Sequence, residues 1–312
     1  MAEELRPVSA EVAELGEGAR WDADRGELLW VDILAGVLRR AVEDGPGLRT
    51  VQELRIGEPL GAAAPLAGGD GWLLAAGRGF RRLHPGGTVT ALLDTEAADA
   101  RMNDAACDPQ GRFWAGSLAR DQRPGGGRLL RCDPDGSVHV VLPATHVANG
   151  LGWSPDGRTL YHADSGAGVV TAYPVEPDTG ALGPGRELVA PDRGVPDGLT
   201  VDAEGALWVA LHGAGEVRRY GPDGATLHVW PLPVSQPTSV AIGGAGGRRL
   251  FVTTSWENLD RAQRAAQPDA GRVFAAGDAG VEAPPVRAYR GALPAAYRGP
   301  AAGRHGPRPG RT

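Results

Sequence analysis

The chain has 312 residues and a formal net charge of −6, and no basic stripe along it indicates a nucleic-acid-binding surface. No apolar run reaches the length of a transmembrane helix, and residues 1–15 are acidic and lack the apolar core of a signal peptide. Lysine is absent, which excludes a Schiff-base mechanism, and two cysteines are too few for a disulfide scaffold. We therefore expect a cytoplasmic protein that binds neither nucleic acid nor membrane.

Short apolar runs alternate with turn residues along most of the chain. The turns are rich in Asp, Pro and Gly, which supply the φ values and local hydrogen bonds that hairpins need. Each run is too short for a helix and is bounded by helix breakers, so each predicts a strand. In chain order, the strands that follow the turns are predicted at 28–31, 72–74, 113–114, 160–161, 207–209 and 250–252.

The turn glycines define a period that is typical of propeller blades. They follow one another at intervals of 40 to 48 residues, at Gly26, Gly71, Gly111, Gly157, Gly205 and Gly247. A second hairpin signal inside a repeat, as at 134–136 and 222–224, predicts four strands per repeat. We therefore predict an all-β fold, a six-bladed β-propeller of four-stranded antiparallel blades. The alternative is a β-sandwich whose turn spacing is accidental.

No break in composition divides the chain, so we expect residues 1–297 to form a single domain. Residues 298–312 consist mainly of Gly, Pro, Ala and Arg without an apolar run, and this composition predicts a disordered tail. For the quaternary state we expect a monomer or a small homo-oligomer.

A polar residue stands eight or nine positions before the turn glycine in five of the six repeats. These residues are Glu17, Asn103, Asn149, Asp197 and Thr238. The position marks the start of the innermost strand of each blade, which lines the central channel of a propeller, so the side chains are expected to meet near the axis. The glycine after Glu17, Asn149 and Asp197 leaves room for close backbone approach or permits an unusual φ. The alternative is that these side chains only satisfy backbone amides at strand ends.

Two carboxylates and an amide oxygen, from Glu17, Asp197 and Asn149, are predicted to bind one divalent cation. An oxygen donor set without histidine suits Ca²⁺, which we prefer, or Mg²⁺ and Mn²⁺, while Zn²⁺ is less favoured. Arg101, two residues before Asn103, is predicted either to hold a substrate oxygen or to pair with a carboxylate. No G-x-S-x-G segment indicates a serine nucleophile.

Several segments together resemble the gluconolactonase/regucalcin (senescence marker protein) family. They lie at 15–21, 101–104, 108–116, 149–153 and 196–199, and the resemblance extends from about residue 15 to 252, and weakly through 259–275. The resemblance implies a six-bladed fold and one divalent cation on Glu17, Asn149 and Asp197. It also implies a sugar lactone in contact with Arg101 and Asn103.

The family resemblance further implies that Asp197 is the general base in the hydrolysis of a sugar lactone (aldonolactone) to the aldonic acid, a reaction of carbohydrate metabolism. A water activated by the cation is the competing base. In many members a Glu shortly after the Ala-Gly-Ser/Thr stretch reaches the substrate hydroxyls. Here Asp121 stands in the place of that Glu.

Two other functions remain open at the level of the sequence. One is a metal-dependent aryl ester or organophosphate hydrolase on the same fold, for which a histidine base such as His146 or His212 would be expected. The other is a non-catalytic propeller that binds a ligand or a protein and holds a structural cation. The cationic side chain of Arg101 favours an enzyme, because a binding module has little need for it beside the metal.

Overall fold

A computed structural model describes residues 4–69, 71–285 and 287–298. It is built almost wholly of strands, which form six antiparallel blades in a ring. The predicted six-bladed β-propeller is therefore confirmed. The predicted tail, 298–312, lies outside the described residues apart from its first residue.

The strands are numbered in chain order, and the first, β1 (Arg6–Pro7), precedes blade 1. Blade 1 consists of β2 (Gly16–Asp22), β3 (Glu27–Asp32), β4 (Val37–Asp44) and β5 (Gly47–Arg55). Blade 2 consists of β6 (Leu60–Pro65), β7 (Trp72–Ala76), β8 (Gly79–Leu83) and β9 (Val89–Asp94). Blade 3 consists of β10 (Ala100–Cys107), β11 (Phe113–Ala119), β12 (Gly127–Cys132) and β13 (Ser137–Thr145).

Blade 4 consists of β14 (Ala148–Trp153), β15 (Thr159–Asp164), β16 (Val169–Pro174) and β17 (Arg186–Val189). Blade 5 consists of β18 (Val195–Val201), β19 (Leu207–His212), β20 (Glu216–Tyr220) and β21 (Thr226–Pro231). Blade 6 consists of β22 (Pro237–Gly243), β23 (Arg249–Thr254), β24 (Phe274–Ala276) and, on its outer edge, β1. A short helix, α1 (Arg261–Ala266), lies between β23 and β24, and β25 (Ala296–Arg298) is the last strand.

The ring is closed by the N-terminal strand. β1 pairs with β24 in antiparallel register, Arg6 opposite Ala275 and Pro7 opposite Phe274. The outermost strand of blade 6 therefore comes from the opposite end of the chain to its three other strands.

The hairpins have the geometry that their residues predict. All six turn glycines have positive φ, from 65° at Gly26 to 102° at Gly71, a region that suits glycine. In blades 3 and 5 the turn aspartate also fixes a buried tryptophan. Asp108 accepts a hydrogen bond from Trp114 Nε1 at 3.0 Å, and Asp202 accepts one from Trp208 Nε1 at 2.8 Å.

Apolar side chains pack between neighbouring blades rather than around one centre. Phe80 of blade 2 and Phe113 of blade 3 meet edge to face with ring centroids 6.1 Å apart. Trp208 of blade 5 belongs to one cluster with Val252 and Phe274 of blade 6. Because the apolar side chains are buried between the blades, the axis of the ring is available to polar side chains.

The innermost strand of every blade carries a register shift near its start. The shifts lie between Glu17 and Arg20, Leu60 and Ala62, Met102 and Ala105, Ala148 and Leu151, Pro196 and Leu199, and Pro237 and Ser239. Such an irregularity re-aims a side chain without ending the strand. It recurs at the position that carries the repeated polar residue.

After β24 the chain runs along the turn end of the channel, and we call residues 277–285 and 287–295 the strap. Its backbone forms hydrogen bonds with hairpins of several blades, since Ala283 N donates to Gly247 O at 2.8 Å and Tyr289 N donates to Pro65 O at 2.9 Å. The strap also lines a channel cavity of about 130 Å³, through Pro284, Pro285 and Arg287. It leads into β25, which adds a parallel fifth strand to blade 3 beside β13.

Two further observations bear on the expected environment of the chain. Cys107 and Cys132 are both buried and free, which agrees with the expectation that the chain has no disulfide scaffold. Within the part of the chain that the structure describes, no helix combines the length and apolar character that crossing a bilayer requires.

Candidate metal centre

Glu17, Asn149 and Asp197 meet at the axis, each at the irregular start of an inner strand. They come from β2, β14 and β18, in blades 1, 4 and 5, and each is at most 6% exposed. The carboxyl groups of Glu17 and Asp197 are within hydrogen-bonding distance of each other. Asn149 Nδ2 donates a very short hydrogen bond to Asp197 Oδ1. The structure thus brings together the three residues predicted to bind the cation.

The amide of Asn149 is oriented by its nitrogen and leaves its oxygen unused. Nδ2 also donates to Ser165 Oγ at 3.0 Å, and Ser165 Oγ in turn donates to Pro196 O at 2.7 Å. Asn149 Oδ1 is buried and has no hydrogen-bond partner among the residues that the structure describes. A buried polar atom is ordinarily satisfied, so this oxygen is the strongest sign that a ligand belongs here.

The two carboxyl groups carry more negative charge than their surroundings can neutralise. Burial raises the pKa of both Glu17 and Asp197 well above the ordinary value, and the charge of Asp104 raises both further. Asp104 faces the same channel, and burial raises its pKa to about 6. A divalent cation would relieve this repulsion, and carboxylate and amide oxygens are suitable donors for Ca²⁺. The residues present therefore fit such an ion.

A site made only of acidic, histidine or cysteine ligands does not occur in the described ranges, where no group of three or more such side chains is placed to hold a metal. The candidate set differs because its third member is the amide of Asn149. No histidine among the described residues bonds to this set, and His146 instead contacts the Gln122 carbonyl at 2.6 Å.

Glycine next to the ligands lets neighbouring inner strands approach closely. A Cβ on Gly150 would lie 2.5 Å from Asp197 O and 2.6 Å from Leu199 N. A Cβ on Gly198 would lie 2.7 Å from Thr238 O. The close approach predicted from the sequence after Asn149 and Asp197 is therefore present.

The two other polar residues of the repeat make hydrogen bonds within the protein. Asn103 Nδ2 donates to Ala148 O at 3.0 Å, and its Oδ1 accepts from Arg101 at 2.7 Å. The Thr238 hydroxyl contacts the Gly16 carbonyl and Thr253 Oγ1. One repeated position therefore holds three possible cation ligands and two side chains that bond to other blades or strands, and the contact of Asn103 with substrate stays a prediction.

Arg101 lies beside the carboxylates. Its Nη1 donates to Asn103 Oδ1 and, at 3.0 Å, to Met102 O. Burial lowers the pKa of Arg101, while the negative charges of Glu257, Glu17 and Asp197 oppose that shift. The charges of Glu17 and Asp197 at the candidate cation site therefore act on the guanidinium group of Arg101.

Asp121 is placed apart from the other predicted residues. It lies in the loop after β11, its side chain is 63% exposed, and it pairs with Arg123 at 2.9 Å. The structure gives it no contact with Glu17, Asn149 or Asp197, so its role in binding substrate stays a prediction.

Sequence reasoning missed two acidic residues near the site, Asp104 and Glu257. Asp104 follows Asn103 directly in the quoted family segment, so its position was a usable signal. Glu257 lies beyond β23, outside the repeated position, and its backbone amide bonds Ser255 Oγ at 2.9 Å. Only the fold brings it near Arg101.

The sequence profile of one known family matches most of the chain. The family is described as the SMP-30/Gluconolactonase/LRE-like region, and the match covers residues 15–256. The chain belongs to this family. The resemblance predicted from the sequence segments is thereby confirmed.

Relatives of this SMP-30/gluconolactonase-like chain align over nearly its whole length. It is 37% identical over 280 residues to 6-deoxy-6-sulfogluconolactonase of Pseudomonas putida, covering 88% of this chain and 95% of that protein. It is 32% identical over 295 residues to regucalcin of Xenopus laevis, covering 91% of this chain and 97% of that protein. The solved structure of a calcium-binding protein, regucalcin, from Agrobacterium tumefaciens has a TM-score of 0.83 at 27% identity, covering 95% and 98% of the two chains.

Proposed function

We propose that this protein hydrolyses a sugar lactone to the open-chain sugar acid with one divalent cation held by Glu17, Asn149 and Asp197. The observation that carries the proposal is the unused, buried Asn149 Oδ1 beside two buried carboxyl groups. Family membership supports lactone hydrolysis, since the relative from Pseudomonas putida is named as a lactonase. The calcium-binding structural neighbour supports Ca²⁺ as the preferred ion over Mg²⁺, Mn²⁺ or Zn²⁺.

A bound cation would polarise the lactone carbonyl and stabilise negative charge on its oxygen. Asp197 accepts a proton from the attacking water and returns it to the departing ring oxygen. Burial raises the pKa of Asp197 before the cation binds, and the bound cation would lower it, so a water activated by the cation is the competing base. Arg101 orients the substrate by donating hydrogen bonds to the oxygen atoms of the substrate.

We propose that Asn103 contributes to substrate binding chiefly by positioning Arg101. Both ends of its amide are engaged, the oxygen by Arg101 and the nitrogen by the Ala148 carbonyl. It therefore fixes the direction of the guanidinium. We further propose that the protein acts on a free small molecule in the cytoplasm, where the buried thiols of Cys107 and Cys132 would stay reduced.

Replacement of Asp197 by Asn tests the mechanism. The amide keeps an oxygen for the cation but cannot take up the proton, so we expect kcat to fall by about 10²- to 10⁴-fold. Acid release from five- and six-membered aldonolactones, corrected for spontaneous opening, measures this after chelation and re-supply of each cation. Asp223→Asn, in an exposed turn, is the matched control and should retain full turnover.

A cation-binding propeller without catalysis is the second candidate, favoured by the calcium-binding name of the structural neighbour. Binding of one Ca²⁺ per chain, followed by calorimetry, together with no turnover of any lactone, would establish it. Turnover in Asp197→Asn close to that of the unaltered protein, with the cation bound, would contradict only the role of Asp197 as base.

A further inference from the structure

A second arginine lies on the same side of blade 3 as Arg101. β10 and β11 pair with Arg101 opposite Leu118, and the ladder continues as Arg120 N donates to Asp99 O at 2.8 Å. Arg120 therefore lies two residues beyond the cross-strand partner of Arg101, and its positive charge adds to burial in lowering the pKa of Arg101. At such a spacing two long side chains are within reach of each other.

The carboxylates nearest to Arg120 are already engaged. Asp99 and Asp121 both pair with Arg123, at 2.8 and 2.9 Å. Arg120 is exposed, and the described part of the chain offers its guanidinium neither a hydrogen bond nor an ion pair. Its positive charge therefore faces solvent.

Arg101 has no direct carboxylate partner either. Its hydrogen bonds go to two neutral oxygens, Asn103 Oδ1 and Met102 O. Within the described ranges Glu257 is close enough to act on its charge but makes no direct ion pair with it. Two neighbouring guanidinium groups without a contacting carboxylate repel each other, and an anion placed between them would remove that repulsion.

Arg120 carries a positive charge that no side chain among the described residues contacts directly, and Glu257 acts on Arg101 without a direct ion pair. A neutral sugar lactone carries no negative group that would neutralise this positive charge. Guanidinium groups recognise sulfonate, phosphate and carboxylate oxygens in the same forked geometry.

We propose that Arg120 and Arg101 bind an oxyanion substituent of the substrate, so that the preferred lactone carries an acidic group remote from its carbonyl. This inference rests on the proposed function. It names Arg120 as a residue that determines specificity, and it places the acidic group at the end of the sugar that faces the loop after β11.

The test compares neutral gluconolactone with lactones that carry a 6-phosphate, a 6-sulfonate or a terminal carboxylate. We expect kcat/KM for at least one anionic lactone to exceed that for the neutral one by about tenfold or more. Arg120→Gln should reduce that ratio by about tenfold, mainly through KM, and added salt should reduce it as well. The three anionic substrates distinguish which oxyanion is preferred.

Arg248→Gln is the matched control. It removes the same charge from an exposed ion pair with Asp278, beside the hairpin at the opposite end of the inner strand, and should leave the substrate ratio unchanged. Turnover of the neutral lactone with no anionic preference, or a ratio that Arg120→Gln does not change, would overturn the inference and leave the proposed function standing. No turnover of any lactone would overturn both.

Discussion

Asn103 and Asn149 occupy the same repeated position and yet have different tasks. The nitrogen of each amide bonds within the protein, but the oxygen of Asn103 is taken by Arg101 while that of Asn149 has no partner. The sequence predicts that both lie at the axis. It does not distinguish them, because the difference depends on which side chains the neighbouring blades supply.

His162 makes the stability of the protein depend on pH. It is 2% exposed, and burial lowers its pKa from 6.5 to about 4, although Asp164 acts in the opposite direction. Between these pH values the unfolded chain binds a proton that the folded protein does not. The free energy of unfolding should therefore fall as pH falls below 6.5, by at most about 1.4 kcal/mol per pH unit.

Urea unfolding between pH 7.5 and 4, in chelator, measures this effect as a difference between the unaltered protein and His162→Gln. The difference isolates the histidine, because the carboxyl groups of Glu17 and Asp197 titrate in both proteins. We expect the advantage of the unaltered protein to shrink as pH falls. Parallel pH profiles for the two proteins would show that His162 has no such effect.

The inner strands combine a feature that the sequence predicts with one that it does not. Their starts were predicted from the polar residue and the turn glycine, and Glu17, Asn149 and Asp197 lie there. The register shift beside each of these positions was not predicted, because it depends on pairing with the second strand of the blade.

Elements that pair with distant parts of the chain also escaped prediction. β1 is two residues long and has no pattern of its own, and β25 depends on the edge of blade 3. The role of Asp121 was predicted from a family segment, but the ion pair with Arg123 determines where the carboxylate of Asp121 lies. Local patterns therefore fix the blades, while the loops depend on tertiary contacts.

Gly150→Ala tests how closely the inner strands must approach. The added methyl group would lie 2.5 Å from the carbonyl oxygen of Asp197, so the strand of blade 5 must move. We expect a loss of about 1–3 kcal/mol in the free energy of unfolding, together with weaker binding of the cation. Urea unfolding and calorimetry measure the two effects.

Gly86→Ala is the control for this substitution, since its Cβ would meet nothing within 4 Å. It should change neither the stability nor the affinity for the cation. Equal effects of the two substitutions would show that the approach of the strands at the axis does not determine the site.

At the scale of the whole molecule, the proposed cation joins blades that are far apart in sequence. Its three ligands come from blades 1, 4 and 5, so binding requires the ring to be assembled. A ligand that binds only the folded protein stabilises it, by about 2.7 kcal/mol at a concentration of 100 times Kd. We expect Ca²⁺ to raise the melting temperature and chelation to lower it.

Asn149→Ala should remove most of this Ca²⁺-dependent increase, and Na⁺ at equal ionic strength controls for a general effect of salt. Thermal unfolding followed by circular dichroism measures the shift. An increase of the same size in Asn149→Ala would show that the stabilising ion binds elsewhere.

The closure of blade 6 by β1 has a consequence for biosynthesis. Arg6 pairs with Ala275, so β1 is synthesised long before its partner β24 and stays unpaired while the intervening blades are translated. Contacts between such distant residues slow folding, and the unpaired β1 is exposed to other nascent chains in the meantime. The pairing of β1 with β24, which closes the finished ring, is therefore also the step at which assembly is most prone to misfolding.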